Sequence, residues 1–115
     1  MADNCLFCKM VSGEIKSAVI YDDPDVLAFN DINPQAPLHA LVIPKRHIAT
    51  LNDATANDAE LLGKLMNVAT RIAREAGVAD GGYRVVMNCN ADAGQSVFHI
   101  NLHVLAGRRL RWPPG

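Results

Sequence analysis

Between residues 57 and 76 the apolar side chains Leu61, Leu62, Leu65, Met66, Ala69, Ile72, Ala73 and Ala76 return at steps of three and four, which draws one unbroken apolar stripe along a helix. Thr55 and Asp58, three positions apart, supply a capping pair at its start, and Gly77 stands where a left-handed residue would end it. Elsewhere the apolar runs are short and bounded by turn formers. Residues 18–21 and 26–29, separated by Asp22-Asp23-Pro24-Asp25, predict an antiparallel hairpin. Prolines then break regular structure over residues 33–37, and a third strand follows over 39–43, stopped by Pro44. Residues 83–88 and 98–105 predict two further strands joined by the small and polar residues 89–95. At the other end, Asn4 is placed to cap a short helix through Leu6, Phe7 and Met10 that Gly13 would finish. Five strands with one long and one short helix predict an α+β fold around an antiparallel sheet, since a doubly wound fold needs more crossover helices.

The chain has 115 residues, enough for one domain with its own core, and no internal repeat or linker divides residues 1–115. Hydrophobic residues make up 50% and charged residues 20%, which sets it apart from disordered chains. Eleven Lys and Arg against twelve Asp and Glu give a net charge of -1, so nothing in the bulk charge favours a nucleic-acid partner. No apolar stretch reaches the ~18 residues of a membrane span, and no basic segment followed by an apolar one opens the chain. A cytoplasmic protein is expected. In that setting three cysteines point to thiols or metal ligands rather than to a disulfide framework.

On the last predicted strand His99, Asn101 and His103 alternate with Ile100, Leu102 and Val104, which puts the three polar groups on one face at ~6.6 Å intervals. Such a face can simply be wet. Two of the four histidines at this spacing argue for more, because imidazole serves as nucleophile, acid, base or ligand near neutral pH. Just before it, Gly94-Gln95-Ser96-Val97 offers flexible backbone and a hydroxyl, suited to holding an anion.

With those residues in order, the chain resembles the histidine triad (HIT) nucleotide-binding proteins, and within them the HINT branch of purine nucleoside phosphoramidases. The resemblance runs over nearly the whole chain. It is carried by the string from Leu27 through Phe29-Asn30-Asp31-Ile32-Asn33-Pro34 to Pro37, by Val42-Ile43-Pro44-Lys45-Arg46-His47-Ile48, by Gly94-Gln95-Ser96-Val97-Phe98-His99-Ile100-Asn101-Leu102-His103-Val104, and by Arg111-Trp112-Pro113-Pro114-Gly115. The Trp-Pro-Pro-Gly ending resembles HINT rather than the dinucleoside-polyphosphate hydrolase branch. The resemblance implies a HIT-like fold, a homodimer, and hydrolysis of the P–N bond of adenosine 5′-phosphoramidates and aminoacyl-adenylate-type conjugates without a catalytic metal.

The chain departs from the family motif His-x-His-x-His at its middle position, where the family histidine attacks the α-phosphorus and this chain has Asn101. An amide nitrogen shares its lone pair with the carbonyl, so asparagine can hydrogen-bond a phosphate but cannot carry the phosphoryl group. Lost turnover with retained binding is expected. Two origins fit: a substitution that traps intact substrate, or a natural nucleotide-binding or scaffold protein without turnover. For the other positions the resemblance implies that His103 bonds the phosphate, His39 lies behind it, and Ser96 with the backbone of Gly94, Gln95 and Val97 contacts the α-phosphate and leaving amine. It implies that Asp31 takes the ribose hydroxyls, that Phe29, Asn30 and Ile32 line the nucleoside pocket, and that Asn88 meets the sugar-phosphate. Trp112 would reach across a two-fold interface toward the partner's site.

Cys5-Leu6-Phe7-Cys8 places two thiols at a spacing that suits one zinc, with His47 and His99 able to complete a Cys₂His₂ set, so His99 has a claim both as first histidine of the triad and as ligand. Two free buried thiols are the other reading, while a thioredoxin-like redox pair lacks its βαβ context. A zinc here would be structural, and Cys89 is a small packing residue in either case.

Overall fold

A computed structural model describes residues 4–115. The chain forms helix α1 (Leu6–Val11), strands β1 (Val19–Asp22), β2 (Val26–Asn30) and β3 (Leu38–Pro44), the long helix α2 (Ala59–Glu75), then strands β4 (Tyr83–Val86) and β5 (Leu102–Ala106). All neighbouring strands are antiparallel and the sheet order is β1-β2-β3-β5-β4, the α+β arrangement expected. The β1–β2 hairpin turns on Asp23, whose carboxylate accepts the Tyr21 hydroxyl and the amides of Asp25 and Val26. Burial alone would raise the pKa of that carboxyl; the hydrogen bonds and Lys64 outweigh it and bring it down to about 2.

The two faces of the sheet are covered unequally. On one face Val26, Ala28, Ala40, Val42, Leu102 and Val104 pack against Leu65, Val68, Ala69 and Ile72 of α2. On the other, Leu27, Phe29, Leu41 and Ile43 meet Phe7, Met10 and Val11 of the six-residue α1, with Cys5 and Val97 beside them, a cover too short to reach the Asn101 end of that face. A concavity is the consequence. Thr55 and Asp58 form the expected capping box, but around a 3-10 turn, Ala56–Asp58, so the α-helix proper begins at Ala59. Gly77 is left-handed with φ 75°, as its place after the stripe predicts.

β1 is offset by one residue, at Val19–Asp22, β3 is longer by one at each end, at Leu38–Pro44, and three further differences from the sequence pattern bear on the site. The cap of α1 is Cys5, whose Sγ accepts the Cys8 amide, rather than Asn4. Strand β4 stops at Val86 instead of residue 88. Most consequentially, β5 starts at Leu102 and not at residue 98. The register pairs Val42 with Leu102, so the next partner of Ile100 would be Pro44, which has no amide hydrogen. The Ile100 carbonyl would have no donor there and the Pro44 carbonyl is taken by His99 Nε2, so the Ile100 amide turns to the carbonyl of Ile48, 2.8 Å away, and residues 98–101 leave the sheet as a bend.

Leu65 is fully buried at the centre of the α2–sheet contact. Replacing it with alanine is expected to cost about 2–5 kcal/mol, measured by denaturant unfolding, with the transition slope unchanged.

Candidate active site

The uncovered part of the sheet is a pocket of about 310 Å³, within the ~300–1,000 Å³ usual for small-molecule sites. One wall is apolar and comes from α1 and the strands behind it: Leu6, Phe7, Met10, Phe29 and Leu41. The rest is polar or backbone, from Asp31, Asn88, residues 94–97, Asn101 and His103, with Ile32 standing 98% exposed at the rim. An apolar slot beside convergent polar groups suits a ligand with a flat ring at one end and an anion at the other.

The polar groups are wired in a fixed direction. The Gln35 backbone amide donates to His39 Nδ1 over 3.0 Å, and an amide can only donate. The ring proton of His39 therefore sits on Nε2, which is 2.9 Å from His103 Nδ1 and 3.4 Å from an Asp31 carboxylate oxygen. His103 Nδ1 accepts, and its own proton is left on Nε2. Asp31, His39 and His103 lie close enough to suggest a metal, yet Nε2 of His39 carries a hydrogen and has no lone pair to give at their centre. The other Asp31 oxygen takes the Asn33 amide at 2.8 Å. Asn101 Nδ2 donates to the His99 carbonyl at 3.0 Å, which occupies one of its two hydrogens.

In the loop before the bend, the Gly94 amide is already bonded to the Ala91 carbonyl and the Gln95 amide to the Asn90 carbonyl. The Gln95 side chain is turned inward, accepting the Asn90 amide and donating to the carbonyls of Ala49 and Val97. Gly94 and Gln95 thus spend their donors on shaping the loop. Among the described residues, the amides and hydroxyl left without a partner there are those of Ser96 and Val97. Gly94 adopts φ 85°, a turn that a side chain would strain.

Under α1 lies a second cluster. Cys5 Sγ and Cys8 Sγ are 3.4 and 3.5 Å from His99 Nδ1, and His47 Nδ1 is 3.3 Å from Cys8 Sγ and 3.1 Å from His99 Nδ1. Ligands around a tetrahedral zinc with ordinary bond lengths stand ~3.3–3.8 Å apart. His99 donates from Nε2 to the Pro44 carbonyl at 2.7 Å, which leaves Nδ1 as the lone-pair atom facing the thiols. The donor set, its spacing and the outer hydrogen bond fit zinc. Burial, followed by the hydrogen bond and charge of Cys5, pushes the Cys8 thiol up to about 11 where no cation balances it.

Residues 12–110 match the HIT domain family. A HIT-like protein of Synechocystis is 46% identical over 115 residues, all of both chains. The chain is also 46% identical to the Escherichia coli K12 protein named purine nucleoside phosphoramidase, over 96% of this chain and 92% of that one. A HIT family hydrolase from Legionella pneumophila Philadelphia 1 superposes with a TM-score of 0.96 at 52% identity, covering 97% of this chain and all of the other. This chain belongs to the HIT domain family.

Its HIT fold brings together most, not all, of the positions singled out from sequence. Phe29, Asp31, Ile32, Asn88, residues 94–97, Asn101 and His103 line one pocket, with His39 directly behind. His99 does not share it: fully buried, it packs edge-on against Phe7 and turns to the cysteines, because the bend at residues 98–101 breaks the alternation that a strand would have kept. Asn30 closes β2 and is not among the pocket's lining residues. Trp112 is 82% exposed and lies outside this pocket in the single chain. Sequence patterning missed Leu6, Phe7, Met10 and Leu41 as pocket wall, and Gln35 as the group that orients His39. The first four carried only a core-like apolar signal, and Gln35 acts through its backbone.

Burial pushes His103 below the ordinary imidazole range; nearby His39 adds to this and the Asp31 carboxylate opposes it. Between that lowered value and the unfolded value of about 6.5, the unfolded chain holds more protons. Stability from this group is therefore full above about pH 6.5 and is lost as pH falls through the lower, folded value. Calorimetric unfolding across that interval is expected to show a midpoint that drops on the acid side, with a smaller drop in His103→Gln; equal drops would assign the effect elsewhere.

Proposed function

We propose that this chain binds a purine nucleoside 5′-monophosphate, or its phosphoramidate, in the pocket, and that the site is a purine nucleoside phosphoramidase site arrested at binding by Asn101. The observation that carries the proposal is the side chain of Asn101 bonded to the His99 carbonyl beside His103. A histidine there would use Nδ1–H in the same bond and keep its lone pair on Nε2 toward the pocket. That nitrogen could displace the amine from phosphorus, forming a nucleotidyl-histidine as the P–N bond breaks, and water would then free the nucleotide. Asparagine can make the orienting bond and offer its second amide hydrogen to a phosphate, but it has no lone pair with which to attack phosphorus.

The remaining groups act on the ligand without needing that step. His103 Nε2–H donates to a phosphoryl oxygen, aided by the amides of Ser96 and Val97, while the Ser96 hydroxyl serves the leaving amine. Asp31 accepts from ribose hydroxyls, Asn88 meets the sugar-phosphate, and the base slides along Phe29, Leu41 and Ile32. What supports this assignment is the pocket's division into an apolar slot and a donor-lined end, together with the activity named for the Escherichia coli relative. The proposal includes a homodimer, supported by the outer edge of β4, which pairs with no strand among the described residues, and by the exposure of Trp112.

It also includes one structural zinc held by Cys5, Cys8, His47 and His99. Such an ion would supply a cross-link between α1 and the loops carrying His47 and His99, outside the chemistry at phosphorus. Zinc titration is expected to saturate at one equivalent, to raise the unfolding temperature and to release protons from the thiols, read as a binding enthalpy that varies with the buffer. Cys8→Ser should remove all three signals.

Calorimetry with adenosine 5′-phosphoramidate and hydrolysis assays, run on this chain and on Asn101→His, test the central assignment. Binding by both with turnover ~10⁴-fold or more higher in Asn101→His is expected. Binding with no turnover in either would favour the second reading, a nucleotide-binding or scaffold protein, and binding in neither would remove the nucleotide.

A further inference from the structure

The tautomer of His39 depends on where one backbone amide points, and that amide lies in the proline-rich segment of residues 33–37, which has no regular structure to hold it. Two contacts from the turn after β5 do so instead. Gly107 packs directly on Pro37: a Cβ added there would stand 2.7 Å from Pro37 Cβ, and its φ of 94° disfavours any side chain. Its neighbour Arg108 donates from Nε to the Gln35 carbonyl at 2.9 Å and from Nη1 to the Arg109 carbonyl at 3.0 Å. The guanidinium is thus pinned on two edges, and Gln35 is pinned on two sides, by Arg108 at its carbonyl and by His39 at its amide.

We propose that Arg108 is a positioning residue that, through Gln35, keeps the protons of His39 and His103 on Nε2 and so keeps an N–H donor aimed into the pocket. Arg108 is exposed and is not among the pocket's lining residues, so its influence passes along bonds already described: Arg108 to Gln35, Gln35 to His39, His39 to His103. Once Gln35 is released, His39 Nδ1 loses its obligatory donor and the ring can carry its proton on either nitrogen. His103 then follows. For part of the time a lone pair, instead of a hydrogen, faces the place of an anionic ligand. Arginine suits the task because its planar fork is held by two carbonyls at once, whereas a lysine offers a single flexible point donor.

The test is nitrogen NMR of the histidine rings in the ligand-free full chain, comparing Arg108→Met, which keeps most of the aliphatic stem but no donor, with Arg108→Lys and the parent. Both rings should be purely Nε2–H in the parent, mixed in Arg108→Met and only partly restored in Arg108→Lys. A folded Arg108→Met with both tautomers unchanged would overturn the proposal. Should that variant not fold, Gly107→Ala pushes the same segment by a different contact, and unchanged tautomers there overturn it equally. A second arm measures AMP affinity, expected to fall about tenfold in Arg108→Met, the weight of one charge-assisted bond. That arm rests on the nucleotide reading, whereas the ring signals do not. Loss of affinity with unaltered tautomers would also reject positioning, since Arg108 would then act on the ligand by another route.

Discussion

A proline residue in a strand offers a carbonyl but no amide hydrogen, and at Pro44 both properties shape the site. The missing donor ends the β3–β5 ladder at the Val42–Leu102 pair and sends residues 98–101 out of the sheet to bond Ile48. The carbonyl that remains accepts His99 Nε2 and fixes how that ring faces the cysteines. Had the ladder continued, His99, Asn101 and His103 would have stood in a row. Because it stops, one histidine goes under α1 and the other two positions look into the pocket. The bend creates two sites from one polar stripe.

What separates those two sites chemically is the partner behind each ring. His99 has an acceptor behind it, so its free nitrogen is a lone pair and points to sulfur. His39 has a donor behind it, so its free nitrogen carries hydrogen and points to His103. Proximity alone would count both clusters as metal-binding groups. The outer hydrogen bonds divide them into a set of ligands and a line of donors, and the helix α1 joins the two physically, since Cys5 and Cys8 face one cluster while Leu6, Phe7 and Met10 form the wall of the other.

Much of this was legible from the residues. The stripe over 57–76, the capping pair Thr55 and Asp58, the turn at Asp23-Pro24 and the order of the short apolar runs determine local structure directly, and the fold follows from them. The pocket positions from Asp31 to His103 were found through the motif resemblance and are gathered by the fold. The start of β5 was not legible, because alternation over 98–105 satisfies a strand and only the pairing register brings Ile100 opposite Pro44. Likewise Asn4 is a better capping residue than cysteine by type, yet Cys5 takes the cap where its sulfur is also drawn to His99. The roles of Gln35 and Arg108 were not legible for a different reason: Gln35 acts through its backbone, and the Arg108 guanidinium bonds a carbonyl 73 residues away, a pairing that only the fold reveals.

In the proposed function Asn101 and His103 mark the place of a reacting phosphorus at which this chain binds but does not react. A crystal structure of the chain grown with adenosine 5′-phosphoramidate tests it most directly. The expected result is an intact P–N bond, the phosphorus beside the Asn101 amide, His103 Nε2 within hydrogen-bond distance of a phosphoryl oxygen, and the base in the slot of Phe29 and Leu41. A nucleotide bound elsewhere, or one already cleaved with Asn101 in place, would contradict it.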